Sequence, residues 1–499
     1  MGGAMEETAM TAKTIMIQGT MSSAGKSLLV TGLCRLFHRE GLRVAPFKSQ
    51  NMALNSCVTG EGLEMGRAQA VQAQAAGIEP SVLMNPVLLK PTSDHQSQVI
   101  VQGEVWDTMD AREYYKRKAE LIPCVKDSFE KLAEQEDLII IEGAGSPAEI
   151  NLRENDFVNM GMAAIADAPV LLVGDIDRGG VFAQLYGTMK LLEPEEQKRI
   201  HGFIINKFRG DPSILEPGLR ELEEKTGVPV LGVLPYLDVH VEEEDSLYEP
   251  RDHSGEVNVA VIRLPRISNA TDFLPLEEEE HICLRYVTKV QEMGDPDLII
   301  LPGTKSTMQD LNWLRSVGLD ARILQHARRG TPVLGICGGY QMLGEEIRDP
   351  RGVEGWDFMR GLGLIPMVTE FREEKTRTVV AGTMEPVEGF WSCASGRKVR
   401  GYEIHMGISD FHGGEVFSRI GDAMEGRVAG NIAGTYLHGF FEEDELRHAV
   451  VNALCEKKNV VPAAGWSFRE EQDRQYDLVA DALRDHLDMG AIRRIIGLE

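Results

Sequence analysis

The chain has 499 residues, 43% hydrophobic and 26% charged, which is the balance of a globular enzyme and too long for one hydrophobic core. A formal net charge of −26 excludes a general electrostatic attraction to nucleic acid or anionic membrane, and any polyanionic substrate would need basic residues placed locally. The seven cysteines are scattered, with no CxxC and no metal-ligand spacing. Their odd number excludes a complete disulfide framework and suits a reducing compartment.

Residues 1–12 lack a basic segment followed by an apolar core, so they read as a disordered tail rather than a secretory signal. No apolar run is long enough to cross a bilayer, and a cytoplasmic location is the expectation. Short apolar runs then alternate with segments of helical period: TIMIQG, DLIIIEG, APVLLVGDID and GFIINKF read as buried parallel strands. SLLVTGLCRLFHREG and EYYKRKAELIPCVKDSFEKLAEQ between them read as helical. This assigns 13–240 to one α/β domain. The acidic, polar stretch 241–256 reads as a linker. A second set of strands (NVAVIRL, DLIILPG, TPVLGIC, NIAGTYLHG) marks another α/β domain over 257–455. The remainder, 456–499, has Tyr476, Val479, Leu483 and Leu487 near helical spacing and reads as a helical extension packed on one of the domains.

Chemistry enters first at TIMIQGTMSSAGKSLLVTGL, a strand, a Gly-rich loop and a helix. Gly25, Lys26 and Ser27 place backbone N–H groups, a point charge and a hydroxyl at a helix start, which suits a nucleotide's phosphates and their Mg²⁺. Gly19 lies one residue farther from Gly25 than in the common phosphate loop, with Thr20 at the expected glycine position. This longer loop resembles that of the dethiobiotin synthetase-like P-loop enzymes. A Gly-rich turn that binds nothing is the plainer alternative. Glu142, ending an apolar run, is the candidate second Mg²⁺ residue, acting through water. Asn206, in FIINKFRGD, resembles the base-recognition corner of the same branch, although a turn Asn would look alike.

The sharpest signal is TPVLGICGGYQMLG. An apolar strand ends in Gly-Ile-Cys-Gly-Gly before a helical stretch, a cysteine version of the nucleophile elbow that makes Cys337 the candidate nucleophile. His438, at the end of another strand in the same half, is the candidate general base and acid, and the backbone N–H groups of Gly303 and Gly338 are candidates for an oxyanion site.

LPGTKST, GICGGYQMLG and GTYLHG together resemble the triad-type (class I) glutamine amidotransferase domain. The resemblance implies that Cys337 is acylated by the glutamine γ-carboxamide and releases ammonia. Most members follow the histidine with Pro-Glu, whereas Gly439 and Phe440 stand here, leaving open what orients His438. That departure is similar to the cobyrinate and cobyric acid synthase branch, whose resemblance extends from about Thr14 to the C-terminus. FKSQNMALNS, NPVLLKP, VGDIDRGGVFAQL, GYEIHMG and QYDLVADALRDHLD all look like the cobyric acid synthases, while Lys48-Ser49-Gln50-Asn51 replaces the Gly-Pro-Asp-Tyr-type segment of the a,c-diamide synthases.

The fold so implied is a P-loop parallel-sheet domain followed by a class I amidotransferase-like α/β domain. The activity implied is glutamine- and ATP-dependent amidation of the b, d, e and g carboxylates of a corrinoid, adenosylcobyrinic acid a,c-diamide. Gln50, Asn51 and Asn55 are small polar candidates for orienting that substrate, and Arg178 for a phosphate or carboxylate contact. Tyr402, Glu403 and His405 alternate as on a half-exposed strand and are left as structural. Three alternatives remain: cobyrinic acid a,c-diamide synthase or a related amidoligase, a regulatory protein with an inactive amidotransferase domain, and a partitioning-type ATPase. The last would carry a second lysine in the loop, and GTMSSAGKS has none.

Overall fold

A computed structural model describes residues 12–92, 96–242 and 255–499. Most of the expected tail and of the expected linker (243–254) therefore lies outside the described residues. The described chain divides into two compact units. One falls within Met1–Ala53, Glu64–Asp245 and Glu471–Glu499, the other within Leu54–Leu63 and Ser246–Glu470. These units cut the chain differently from its compositional boundaries. The excursion Leu54–Leu63 groups with the second unit, and the last 29 residues group with the first.

The first unit is built on a six-stranded parallel sheet in the order Val230–Pro235, Ile200–Phe208, Val170–Asp175, Lys13–Gly19, Leu138–Glu142, Val44–Phe47. The central strands are apolar along their length because both faces are covered, so each reads as a run rather than an alternation. The carboxyl ends of neighbouring strands bring Gly19, Glu142, Asp175 and Asn206 to one edge, where ligands of open parallel sheets bind. The helical segment 113–135 is broken. Ala111–Arg117 and Ile122–Ala133 are separated by a tight turn of helix, with Pro123 in the first turn of the second, where no N–H is needed. The C-terminal helices Phe468–His486 and Met489–Ile496 put Val479, Leu483, Ile492 and Ile496 into the core formed with Leu29 and Leu33. At Gly32 a Cβ would lie 2.6 Å from both Leu483 and Val479, so the phosphate-loop helix needs glycine where the last helices cross it.

In the second unit the parallel strands Ile282–Val287, Val257–Ile262, Leu298–Leu301, Val333–Ile336 and Ile432–Thr435 lie side by side. Antiparallel strands extend the sheet beyond Ile432–Thr435. The long strand Lys398–Phe411 pairs with Met367–Met384 and with the two-residue strand Leu437–His438. All seven cysteines are free thiols. Among the described residues no helix is long and apolar enough to cross a membrane.

Candidate active site

Each unit holds one constellation at the carboxyl ends of its parallel strands. In the first, the chain leaves strand Lys13–Gly19, turns through 20–25 and enters helix Lys26–Arg39. Gly25 has φ +96°, and a Cβ there would lie 2.1 Å from the Asn206 side chain, so only glycine fits. Lys26 folds back over the loop, its Nζ donating to the carbonyls of Met21 (3.1 Å) and Gly145 (3.3 Å). Ser27 Oγ donates to Glu142 Oε1 at 2.8 Å. The same carboxylate receives Lys48 Nζ at 3.1 Å and Gln72 Nε2 at 2.6 Å. Burial pushes the Glu142 carboxyl up, but the Lys48 charge, the bonds from Gln72 and Ser27 and the Lys26 charge outweigh it and hold the group below its ordinary value.

Asn206 Nδ2 donates to the Ala24 carbonyl (3.0 Å), closing the loop from behind, while Lys207 reaches the Ser23 carbonyl (2.6 Å) and pairs with Asp175 (3.1 Å). Arg178 stands exposed on the turn before helix Val181–Leu191. Gln50 accepts from Tyr114 Oη, and the buried Asn51 donates to Gln69 at 2.9 Å. Asn55 belongs to the excursion grouped with the second unit, where its Oδ1 accepts from Asn269 N–H at 2.9 Å.

In the second unit Cys337 links strand Val333–Ile336 to helix Gly338–Leu343 with φ +51° and ψ −110°, a strained turn that presents the side chain at the strand end. The glycines beside it are steric necessities. A Cβ on Gly335 would meet the Tyr340 backbone at 2.7 Å, and one on Gly339 would meet the Leu301 carbonyl at 2.0 Å. Cys337 Sγ donates to the Ile404 carbonyl at 3.6 Å. Gly338 faces Thr304, and Gly303 faces the His438 ring, so close that an added Cβ would lie 2.7 Å from Cε1.

His438 is buried, and its Nδ1 lies 2.7 Å from Asp272 Oδ2. The other carboxylate oxygen accepts the Gly439 N–H at 3.0 Å. This explains the unusual His-Gly pair. Proline after the histidine would have no N–H to give Asp272 and could not adopt Gly439's φ of +80°. Burial alone would lower the His438 pKa, but the Asp272 charge and hydrogen bond, with a smaller contribution from Cys337, raise it to about 10. The imidazole is thus protonated across the neutral range. Tyr402 stacks on it, ring centroids 5.3 Å apart and planes 19° from parallel.

Residues 258–446 match the CobB/CobQ-like glutamine amidotransferase domain family, and residues 15–246 the CobQ/CobB/MinD/ParA nucleotide-binding domain family. The cobyric acid synthase of Lachnoclostridium phytofermentans is 52% identical, over 97% of this chain and 99% of the relative. That of Ruminiclostridium cellulolyticum is also 52% identical, over 97% of each chain. The chain belongs to the cobyric acid synthase family. The cobyric acid synthase of Salmonella heidelberg is 49% identical, over 97% of this chain and 98% of its own. Family membership makes the chain a glutamine-dependent ligase with a nucleotide-binding half and an amidotransferase half.

Four residues of these constellations escaped the sequence reading. Lys48 and Gln72 reach Glu142 from outside the phosphate loop, Asp272 reaches His438 from 166 positions upstream, and Tyr402 covers its ring. Lys48 and Tyr402 lie in the segments FKSQNMALNS and GYEIHMG that resemble the cobyric acid synthases. Nothing local distinguishes Asp272 from the other acids.

Proposed function

We infer that this chain amidates the b, d, e and g carboxylates of adenosylcobyrinic acid a,c-diamide, drawing ammonia from glutamine at Cys337 and activating each carboxylate with ATP. The single observation that carries the reading is the buried Asp272–His438 pair beside Cys337 on a nucleophile elbow. It supplies the orienting acid that the sequence lacks in its usual place.

In the glutaminase half, with the thiol proton held on His438, Cys337 attacks the γ-carboxamide carbonyl as the thiolate, and the oxyanion is received by the N–H groups of Gly303 and Gly338. Protonated His438 gives its proton to the departing nitrogen. The thioester is then cleaved by water, with His438 now accepting a proton, and glutamate leaves. Asp272 keeps Nδ1 protonated and Nε2 directed to the reaction throughout.

In the synthetase half, a carboxylate resists attack by ammonia until phosphorylation makes its oxygen a leaving group. Lys26 and the N–H groups of the helix start position the phosphates. Ser27 and Glu142 offer adjacent hard oxygens of the kind Mg²⁺ takes alongside water and phosphate, and would hold it, Ser27 directly and Glu142 through water. Bound there, Mg²⁺ would offset phosphate charge. Asn206 takes the base side of the nucleotide. Gln50 and Asn51 face the corrinoid amides and carboxylates, and Arg178 a phosphate or carboxylate.

The test is mass spectrometry of adenosylcobyrinic acid a,c-diamide incubated with protein, glutamine, ATP and Mg²⁺. ATP-dependent, stepwise exchange of carboxylate oxygen for amide nitrogen is expected. No exchange here, with exchange on cobyrinic acid, would move the assignment to the a,c-diamide synthase.

A further inference from the structure

Lysines buried in the first unit are answered by oxygen acceptors, with one exception among the described residues. Lys26 donates to the carbonyls of Met21 and Gly145, Lys48 pairs with Glu142 at 3.1 Å, and Lys90 pairs with Glu64 at 2.9 Å. Lys118 is only 4% exposed, yet no oxygen of the described residues accepts from its ammonium and no carboxylate comes within ion-pair distance. What faces the ammonium is aromatic: the ring centre of Phe157 lies 5.0 Å from Nζ, and that of Tyr115 lies 5.8 Å away. Asp156 acts on it through space, but that carboxylate is already engaged. Its Oδ1 accepts the N–H groups of Val158 (2.8 Å) and Asn159 (3.1 Å), and its Oδ2 that of Gly161 (2.8 Å), at the start of helix Met160–Ile165. Burial lowers the Lys118 pKa more than the Asp156 charge raises it. A cation with three N–H donors, set between ring faces and short of counter-charge, is suited to an anion brought from outside.

The place of this amine singles out the anion. Lys118 opens the helical turn Lys118–Leu121 that follows helix Ala111–Arg117, and in that helix Tyr114 donates to Gln50, a residue already assigned to the corrinoid. Phe157 belongs to the segment that leaves strand Leu138–Glu142. Asn159 closes that segment on its own beginning, its Nδ2 donating to the Ala144 carbonyl at 2.8 Å and its Oδ1 accepting the Ala144 N–H at 3.2 Å. The ring two residues earlier is thereby returned to the strand end, where the Gly145 carbonyl holds Lys26. The phosphates already have Lys26 and the N–H groups of the helix start, and the turn that carries Lys118 contributes nothing to the phosphate loop. Apolar surface adjoins the amine: Tyr115 is 42% exposed, Glu149 lies near enough for its charge to act on the Tyr115 phenol, and Ile150 beside it is 56% exposed. An acidic side chain carried on a large, partly apolar ring system meets both requirements.

Resting on the proposed corrinoid substrate, we propose that Lys118, between Tyr115 and Phe157, binds a side-chain carboxylate of that substrate and so distinguishes an acid still to be amidated from an amide already made. The ammonium forms a charge-assisted hydrogen bond with a carboxylate, whereas a neutral amide returns only a weaker bond through its carbonyl oxygen. The two rings hold the lysine stem and keep competing protein oxygens away from the amine.

The experiment is equilibrium dialysis of the full-length enzyme against adenosylcobyrinic acid a,c-diamide and, separately, against its amidated product adenosylcobyric acid, with titration calorimetry of ATP as the control. The wild type is expected to bind the acid about tenfold more tightly than the product. Lys118→Met keeps an apolar stem between the rings and removes the charge. It should bring the two corrinoid affinities to within about twofold of each other and change the ATP affinity by less than about twofold. A variant that keeps the tenfold preference would overturn the assignment. So would one that loses ATP affinity while binding both corrinoids as the wild type does, which would put the amine on phosphate. Equal affinity of the wild type for the two corrinoids would overturn it with no variant needed. A wild type that binds neither corrinoid would instead overturn the substrate reading on which the site rests.

Discussion

The phosphate loop and the cysteine site are both built at the carboxyl ends of parallel strands, yet they are assembled in opposite ways. The first is nearly contiguous: Gly25, Lys26 and Ser27 come from one turn, because phosphates are recognised by backbone N–H groups that only a continuous loop and helix start can align. The second has a contiguous elbow around Cys337, while its partners arrive from Asp272, Gly303, Tyr402 and His438. Acyl transfer needs side chains at fixed distances, and sheet topology, not chain order, supplies them. The two sites should therefore fail differently when single residues are changed.

The largest separation is between Lys26 and Cys337. Lys26→Ala should abolish amidation with either nitrogen source, since no acyl phosphate forms. Cys337→Ala should cost the glutamine-driven reaction about a thousandfold or more and leave the ammonia-driven reaction at raised pH intact. Parallel product assays with glutamine and with ammonia separate the two. Loss of both reactions in the cysteine variant would break the comparison.

Glu142→Gln sharpens it on the first side. Removing the charge breaks the buried Lys48–Glu142 ion pair and takes one hard oxygen from beside Ser27. A rise of about tenfold in the Mg²⁺ needed for nucleotide binding is expected, read by titration calorimetry as well as by turnover. Glutamate release in the absence of nucleotide should not change. The smallest effect is on stability. Leu483→Ala empties space against Gly32 and Leu29 and should cost about 2–5 kcal/mol, seen as a lower thermal midpoint in calorimetry with little change in KM for glutamine.

Much of this was legible in the chain, and the parts that were not have a common cause. Apolar runs gave the strands of both sheets because parallel strands are buried on both faces, and the glycines around Cys337 marked a turn that other residues could not make. Asp272 was invisible because its partner is reached through the sheet and because its motif, Asn269 to Phe273, looks like any polar turn. The missing Glu after His438 read as a gap. It is instead half of a substitution whose other half is Gly439, the residue that lets Asp272 bond both the ring and the following N–H. Tyr402 alternated on its strand as a structural residue would, and its stacking on His438 depends on a strand pairing that sequence spacing does not reveal. The polar run Gln50, Asn51 and Asn55 looked like one substrate loop and is divided between two compact units, because the chain leaves one at Leu54 and returns at Glu64.

The pH dependence follows from the Asp272 pair. With the His438 pKa raised to about 10, above its ordinary value near 6.5, the pair's contribution to stability is complete below about 6.5 and is lost as pH rises through about 10. The protonated ring that donates to the leaving nitrogen is lost over the same upper range. Asp272→Asn is therefore the most direct measurement, with glutamine-driven and ammonia-driven amidation followed side by side from pH 6 to 10. The glutamine-driven rate should fall about a hundredfold or more, with its alkaline limb displaced to lower pH, while the rate with ammonia stays unchanged. A variant that keeps the wild-type glutamine rate and pH profile would contradict this role of the Asp272–His438 pair.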